Sequence, residues 1–206
     1  MSDERLAWIY AATNPDELQQ RYDWWATQYD TDLEGLHYVA PNAGAERLHH
    51  WAGADASVLD AGCGTGLVGA ALRALGVGHL TGFDLSQAML DQAAERGVYD
   101  VLRQGSLLEP LPFDAGSFDA VVSVGVFTFG HVGPAALAAL PRVVRSGGFV
   151  TMTFRDDVMR DMGFADEVQR LEHDGVWRLV ERTEPAPLIV EDGEGAPMRV
   201  WTWQVP

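Results

Sequence analysis

Seven consecutive residues limit what this chain can fold into more than any others: Asp60-Ala61-Gly62-Cys63-Gly64-Thr65-Gly66. They follow the short apolar run Val58-Leu59 and precede a helix-periodic stretch from Leu67 to Leu75. Alternate glycines permit positive φ and let a ligand approach the backbone, while the next helix offers unpaired amides. The strand, loop and helix form one unit, and the pattern repeats. Leu80 to Asp84 reads as a strand, Ser86 caps a helix from Gln87 to Arg96, and Val101 to Gln104 is a weak strand. Phe118 to Val124 is an apolar strand, Pro134 to Val144 a helix, and Phe149 to Phe154 a strand after the Gly147-Gly148 turn. Near-continuous apolar strands alternating with helices predict a parallel sheet covered on both faces.

The flanks differ. Asn14 caps a helix with Pro15 in its first position and Asp16 and Glu17 at its positive end, running through Tyr22 toward Asp30. Ala43 to Trp51 reads as a second helix, and Asp157 to His173 as one continuous helix. Val176 to Arg182 and Met198 to Val205 are expected to pair as an antiparallel hairpin, since the Glu184 to Pro197 connection is too polar for a crossover helix. At 206 residues the chain suits one core and is short for two domains. The expected division is a helical cap over 1–52, a cofactor-binding core over 53–155, and a helix and hairpin over 156–206.

Charge removes several function classes. Asp and Glu number 30 against 14 basic residues, a formal net charge of −16, and every one of the 14 is arginine. Without lysine there is no Walker A phosphate loop, no Schiff-base amine and no Tyr-Lys dehydrogenase pair. The acid excess argues against nucleic acid, whose affinity rests on phosphate neutralisation. No run reaches the roughly 18 apolar residues of a membrane span, and Met1 to Arg5 does not open a signal peptide. A cytoplasmic location is expected, without a membrane partner; oligomeric state is left open. Cys63, the single cysteine, reads as a small buried filler, and no cluster has metal-ligand spacing, so no metal is expected.

The loop alone does not choose its ligand. Gly64-Thr65-Gly66-Leu67-Val68-Gly69 is also a G-x-G-x-x-G, and Asp84 follows Gly64 by 20 residues, as a dinucleotide site requires. Asp60 shifts the balance. A carboxylate ahead of the glycines is expected to point into the loop, where it would repel a pyrophosphate and attract the ammonium of S-adenosylmethionine; its alternative is to cap the turn by bonding backbone amides. Asp84 suits ribose hydroxyls, since a carboxylate accepts two of them.

Val58 to Gly66 resembles motif I of the class I methyltransferases, and Gly82 to Leu90 resembles the stretch that follows it. Leu111-Pro112-Phe113 with Phe118 to Val121, and Arg142 to Gly148 with Ser146 where proline is usual, resemble that family's fourth and fifth strand motifs. Tyr22-Asp23-Trp24-Trp25-Ala26 with Tyr29-Asp30, and Gly125 to Val132, are similar to the methyltransferase-like proteins of the Williams–Beuren region and their bacterial relatives. The resemblance implies an α/β, Rossmann-like fold with a mostly parallel seven-stranded sheet, N-terminal helices and a C-terminal antiparallel hairpin. It implies S-adenosylmethionine-dependent methyl transfer, with Gly62, Cys63, Gly64 and Gly66 at the cofactor. Asp84, Leu85 and Met89 would hold ribose and adenine, with Ser106 and Leu107 facing the adenine. Many relatives carry Asp where Ser106 stands. Val124 and Gly125 would line the methionine portion, and Tyr29 would close over it, with Tyr22, seven residues earlier and near the same helical face, toward the substrate.

For the acceptor, His131 is the best-placed general base, and a loop histidine satisfied by backbone is its alternative. Arg155 would bind a carboxylate on the acceptor, or else pair with Asp156 or Asp157. Asp30 and His37 would join the pocket if the N-terminal segment forms a lid, and Trp24 and Trp25 are expected to pack on the domain. The reading is an S-adenosylmethionine-dependent methyltransferase acting on O or N of a small molecule. A non-catalytic S-adenosylmethionine-binding module and an NAD-dependent oxidoreductase are the alternatives.

Overall fold

The computed structural model describes residues 8–9, 11–187 and 197–206. After an N-terminal segment come α1 (Pro15–Glu34) and α2 (Ala40–Ala52), then β1 (Ser57–Ala61), α3 (Leu67–Ala74), β2 (His79–Asp84), α4 (Gln87–Arg96), β3 (Val101–Gln104) and β4 (Phe118–Ser123). A 3₁₀ turn (Pro134–Ala138) leads into α5 (Ala139–Val143) and the long β5 (Val144–Arg155). α6 (Asp156–Asp161), α7 (Phe164–His173), β6 (Arg178–Arg182), the two-residue β7 (Ala186–Pro187) and β8 (Pro197–Gln204) complete the described chain.

The sheet order is β3-β2-β1-β4-β5-β8-β6, with β7 paired to β8. The five strands from β3 to β5 are parallel, whereas β8 runs antiparallel to both β5 and β6. The mostly parallel Rossmann-like sheet with its antiparallel end is therefore present. One short strand is added, because Ala186 and Pro187 reach Met198 and Pro197. The expected hairpin partners do pair, and β8 lies between β5 and β6. Residues 188–196 of their connection lie outside the described residues. Burial explains the apolar runs. One core cluster, including Leu140, Phe154, Phe164, Trp177 and Trp203, covers one face. A second, including Ala45, Leu48, Val68 and Leu72, covers the other.

Two helix expectations need correction. Asp157 to His173 is not continuous: Gly163, in the left-handed region at φ 78°, separates α6 from α7 and caps the latter. Pro134 to Val144 begins as a 3₁₀ turn, and Val144 already belongs to β5. The Asn14 cap forms as expected, its side chain accepting from the Glu17 amide at 2.9 Å. Strand order reverses direction between β1 and β4, so the crevice at the carboxyl ends of those strands is the place where an open α/β sheet binds ligand.

Candidate functional site

A cavity of about 350 Å³ opens in that crevice, within the roughly 300–1,000 Å³ typical of small-molecule sites. At the end of β1 the amides of Gly62 and Cys63 both donate to the Phe83 carbonyl, at 2.7 and 3.1 Å. This ties the glycine loop to β2. The Gly64 amide donates to Asp84 Oδ2 at 2.8 Å, and the Ser86 amide to Asp84 Oδ1 at 2.9 Å. Loop, strand end and the start of α4 are thus clamped by one carboxylate. Of the expected donor-end residues, Gly62, Gly64, Asp84, Leu85 and Met89 line the cavity. Ser106 and Leu107 after β3, and Val124 and Gly125 after β4, line it too.

Others lie elsewhere. Asp60 does not point into the loop space: it is fully buried, and its Oδ2 accepts the Tyr99 hydroxyl at 2.6 Å. Its Oδ1 has no hydrogen-bond partner. Burial pushes its pKa from the ordinary 3.8 up to about 7, with Asp84 adding to the rise. Burial also pushes the Cys63 thiol and the Tyr99 phenol up. Cys63 is buried behind the loop, and Gly66 caps α3 at φ 92°; neither lines the cavity. Arg155 turns to Asp157, donating from Nε at 3.0 Å and from Nη2 at 2.6 Å. Of its two sequence readings, the ion pair is the one formed. Asp30 accepts the Thr65 hydroxyl at 2.5 Å and pairs with Arg96, and His37 is exposed, so neither joins the pocket. Trp25 is buried as expected, but Trp24 is 60% exposed, edge-on to Trp8.

The lining discriminates between ligands. A side chain on Gly62 would run into Val126 Cγ2, 2.2 Å from the position of a Cβ, whereas nothing lies within 4 Å of that position on Gly64. A ligand can therefore lie directly against the backbone at Gly64. Asp84 faces the cavity without an arginine partner among the described residues, and its oxygens keep lone pairs for ribose hydroxyls. No arginine lines the cavity among those residues. A carboxylate there fits the ribose of a bound nucleoside.

The opposite wall is built from far apart in sequence. α1 lies across the mouth, held by the Asp30 contacts and by Asp23, which accepts from Ser86 Oγ at 2.5 Å and from the Ala88 amide at 3.3 Å. Tyr22 and Tyr29 from this helix line the cavity, as do Gly130 and His131 from the loop after β4. The Tyr22 hydroxyl lies 2.5 Å from His131 Nε2, and His131 Nδ1 lies 2.7 Å from the Phe129 carbonyl. A carbonyl can only accept, so Nδ1 carries the proton and Nε2 accepts from Tyr22. Burial lowers the His131 pKa below the ordinary 6.5, so the imidazole is neutral at pH 7.

Sequence reading missed several lining residues: Thr13, Asn14, Leu18 and Gln19 at the start of α1, and Leu108 and Val132. The Asn14-Pro15 helix start was visible, but not that it rims a cavity. The Asp60–Tyr99 bond was also missed, since nothing in the local pattern around Tyr99 announces a partner 39 residues away.

A Methyltransferase domain family model matches residues 59–152. The chain belongs to the class I S-adenosylmethionine-dependent methyltransferases, enzymes whose cofactor is S-adenosylmethionine. Within that class it is similar to human methyltransferase-like protein 27, with 38% identity over 184 residues covering 84% of this chain and 75% of that protein. It is also 41% identical over 130 residues to the malonyl-[acyl-carrier protein] O-methyltransferase of Erwinia pyrifoliae, and 43% identical over 67 residues to the bovine 18S rRNA (guanine-N(7))-methyltransferase. It spans only 44% and 24% of these two relatives. Among solved structures, the [4+2]-cyclase SpnF superposes with TM-score 0.71 at 14% identity, over 95% of this chain and 98% of that one. A chain from the Haloferax volcanii complex of the Trm112 activator with a methyltransferase gives 0.68 at 20% identity, over 90% and 97%. These two likenesses establish the fold. Among the described residues, no helix is long and apolar enough to cross a membrane.

Proposed function

We propose that this chain methylates an oxygen or nitrogen of a small molecule held between α1 and the loop after β4, with the methyl donor lying along the strand ends. The observation that carries this reading is the Tyr22–His131 pair on the wall facing the glycine loop. When bound, S-adenosylmethionine supplies an activated methyl group, so the protein's tasks are alignment, water exclusion and removal of a proton. Gly64 and Asp84 would hold the nucleoside end, with Leu85 and Met89 beside it and Ser106 and Leu107 nearby. Val124, Gly125 and Tyr29 would bound the methionine end. Neutral His131, its Nε2 pointed at Tyr22, would receive the proton. The cavity of about 350 Å³ supports a small acceptor, and the net charge of −16 supports one that is not nucleic acid.

Asp60 enters differently from its sequence reading. Its unpartnered Oδ1 sits behind the loop, and burial holds its proton up to about pH 7, so it supports the cradle from behind rather than contacting a ligand through the cavity. Titration calorimetry tests the donor assignment: S-adenosylmethionine and its demethylated product bind and NAD does not. NAD binding without a response to S-adenosylmethionine would overturn it. Turnover tests the base, because His131→Ala is expected to retain cofactor and lose rate.

A further inference from the structure

We propose that the acceptor is an uncharged small molecule methylated on a hydroxyl oxygen. This rests on the acceptor pocket proposed above and goes beyond it by fixing the acceptor's charge and nucleophile. Among the described residues no arginine lines the cavity, and the chain has no lysine to offer. Arginines near the lining hold other partners: Arg21 has Glu17 and the Trp8 carbonyl, Arg103 the Pro112 carbonyl and the Phe113 ring, Arg96 has Asp30, and Arg155 has Asp157. A carboxylate or phosphate on the acceptor would be desolvated with no arginine among the described lining residues to meet it, inside a protein of strongly negative net charge.

A cation fares no better at the acceptor wall. Asp84 is the one carboxylate in the lining among the described residues, and it clamps the Gly64 and Ser86 amides at the donor end. The side formed by α1 and the loop after β4 presents Leu18 and Val132 with neutral polar groups such as Gln19 and Tyr22. That mixture suits an apolar body carrying a few neutral polar atoms.

The hydrogen-bond directions suit a hydroxyl nucleophile. Tyr22 donates its proton to His131 Nε2 and lines the cavity, and a phenol oxygen that donates can also accept. An acceptor O–H can donate to the Tyr22 oxygen. As the new carbon–oxygen bond forms at the methyl carbon, the electron pair of the broken carbon–sulfur bond stays on sulfur. The hydroxyl proton passes to Tyr22, and Tyr22 passes its own proton to His131 Nε2. His131 ends as imidazolium with Nδ1 still bonded to Phe129, and releases the extra proton to water after the product leaves.

The test uses the full chain and three probes of one skeleton: 4-propylphenol, 4-propylbenzoate and 4-propylbenzylamine. Each is assayed with S-adenosylmethionine for release of S-adenosylhomocysteine. Binding of each is measured separately by calorimetry in the presence of S-adenosylhomocysteine. The expected result is binding and turnover of the phenol, at least tenfold preferred over the benzoate and the amine. Gln19→Arg, which adds a cation to the pocket wall, is expected to shift binding preference toward the benzoate by at least tenfold. Preference of the native protein for the benzoate or the amine overturns the proposal. So does a lack of binding by all three while S-adenosylhomocysteine still binds, and that outcome leaves the donor-site reading intact. Failure of S-adenosylhomocysteine itself to bind would instead strike the donor-site reading on which the proposal rests.

Discussion

The two walls of the cavity are made by different means. The donor end is backbone: the Gly62 and Cys63 amides tied to Phe83, one carboxylate clamping Gly64 and Ser86, and a loop leading straight into a helix. It is contributed by a few short consecutive stretches. The acceptor wall is side chain, and its central pair joins residues 109 positions apart. A backbone cradle can be specified by a local motif, because glycine spacing and strand termination lie in one window of sequence. A side-chain wall depends on how α1 docks, and that docking rests on Asp23 with Ser86 and Asp30 with Thr65 and Arg96. The same contrast holds for charge. The donor end concentrates two carboxylates, one facing the cavity and one buried behind it, while the acceptor wall has none among the described residues.

Breaking the backbone wall should have the largest effect. Gly62→Val requires a side chain at φ 81°, with its Cβ 2.2 Å from Val126 Cγ2. Strain and overpacking together cost on the order of 3 kcal/mol or more, and no cofactor binding should remain by calorimetry, with a lowered thermal midpoint. Retained binding would mean that the loop is not the cradle.

Breaking the side-chain wall should act on rate alone. Removing a positioned base typically costs about 10²–10⁴-fold, so His131→Ala should lose turnover of that order with cofactor affinity within about twofold. An equal loss of both would show that the walls are not separable.

This contrast also describes what was legible in the sequence. The alternation from Ser57 to Phe154 announced the parallel strands, and the Asp60 to Gly66 and Asp84 stretches announced the crevice. The helix break at Gly163 was missed because apolar periodicity runs on either side of it. The position of Asp60 was missed because its partner, Tyr99, follows α4 and reaches it only in the folded sheet. The role of the Asn14-Pro15 helix start as a cavity rim lay beyond reading for the same reason, since a cap is local and docking is not.

Asp60 gives a prediction on stability. Its folded pKa, about 7, lies above the ordinary 3.8, so between these values the unfolded chain ionises while the folded one holds its proton. Stability should therefore fall as pH rises from about 4 to about 7 and level off above. This single group contributes at most about 4 kcal/mol to that fall. Asp60→Asn should flatten that slope in denaturant melts across the same range. A slope as steep as the wild type's would place the titration elsewhere.

The smallest effect expected is in the pH–rate profile. Neutral His131 is the working form and its pKa is lowered by burial, so the rate should be flat above pH 6.5 and fall only as pH drops further. A rise continuing well above pH 7 would point to a different base.

The most direct test of the two-wall account is one calorimetric comparison, S-adenosylmethionine titrated into Asp84→Ala and His131→Ala side by side at pH 7.5. Loss of hydrogen bonds to a charged group costs about 1.5–3 kcal/mol each, so Asp84→Ala should bind about tenfold to a hundredfold more weakly or not at all. His131→Ala should bind as the wild type does. Equal weakening in both variants, or weakening confined to His131→Ala, would contradict the account.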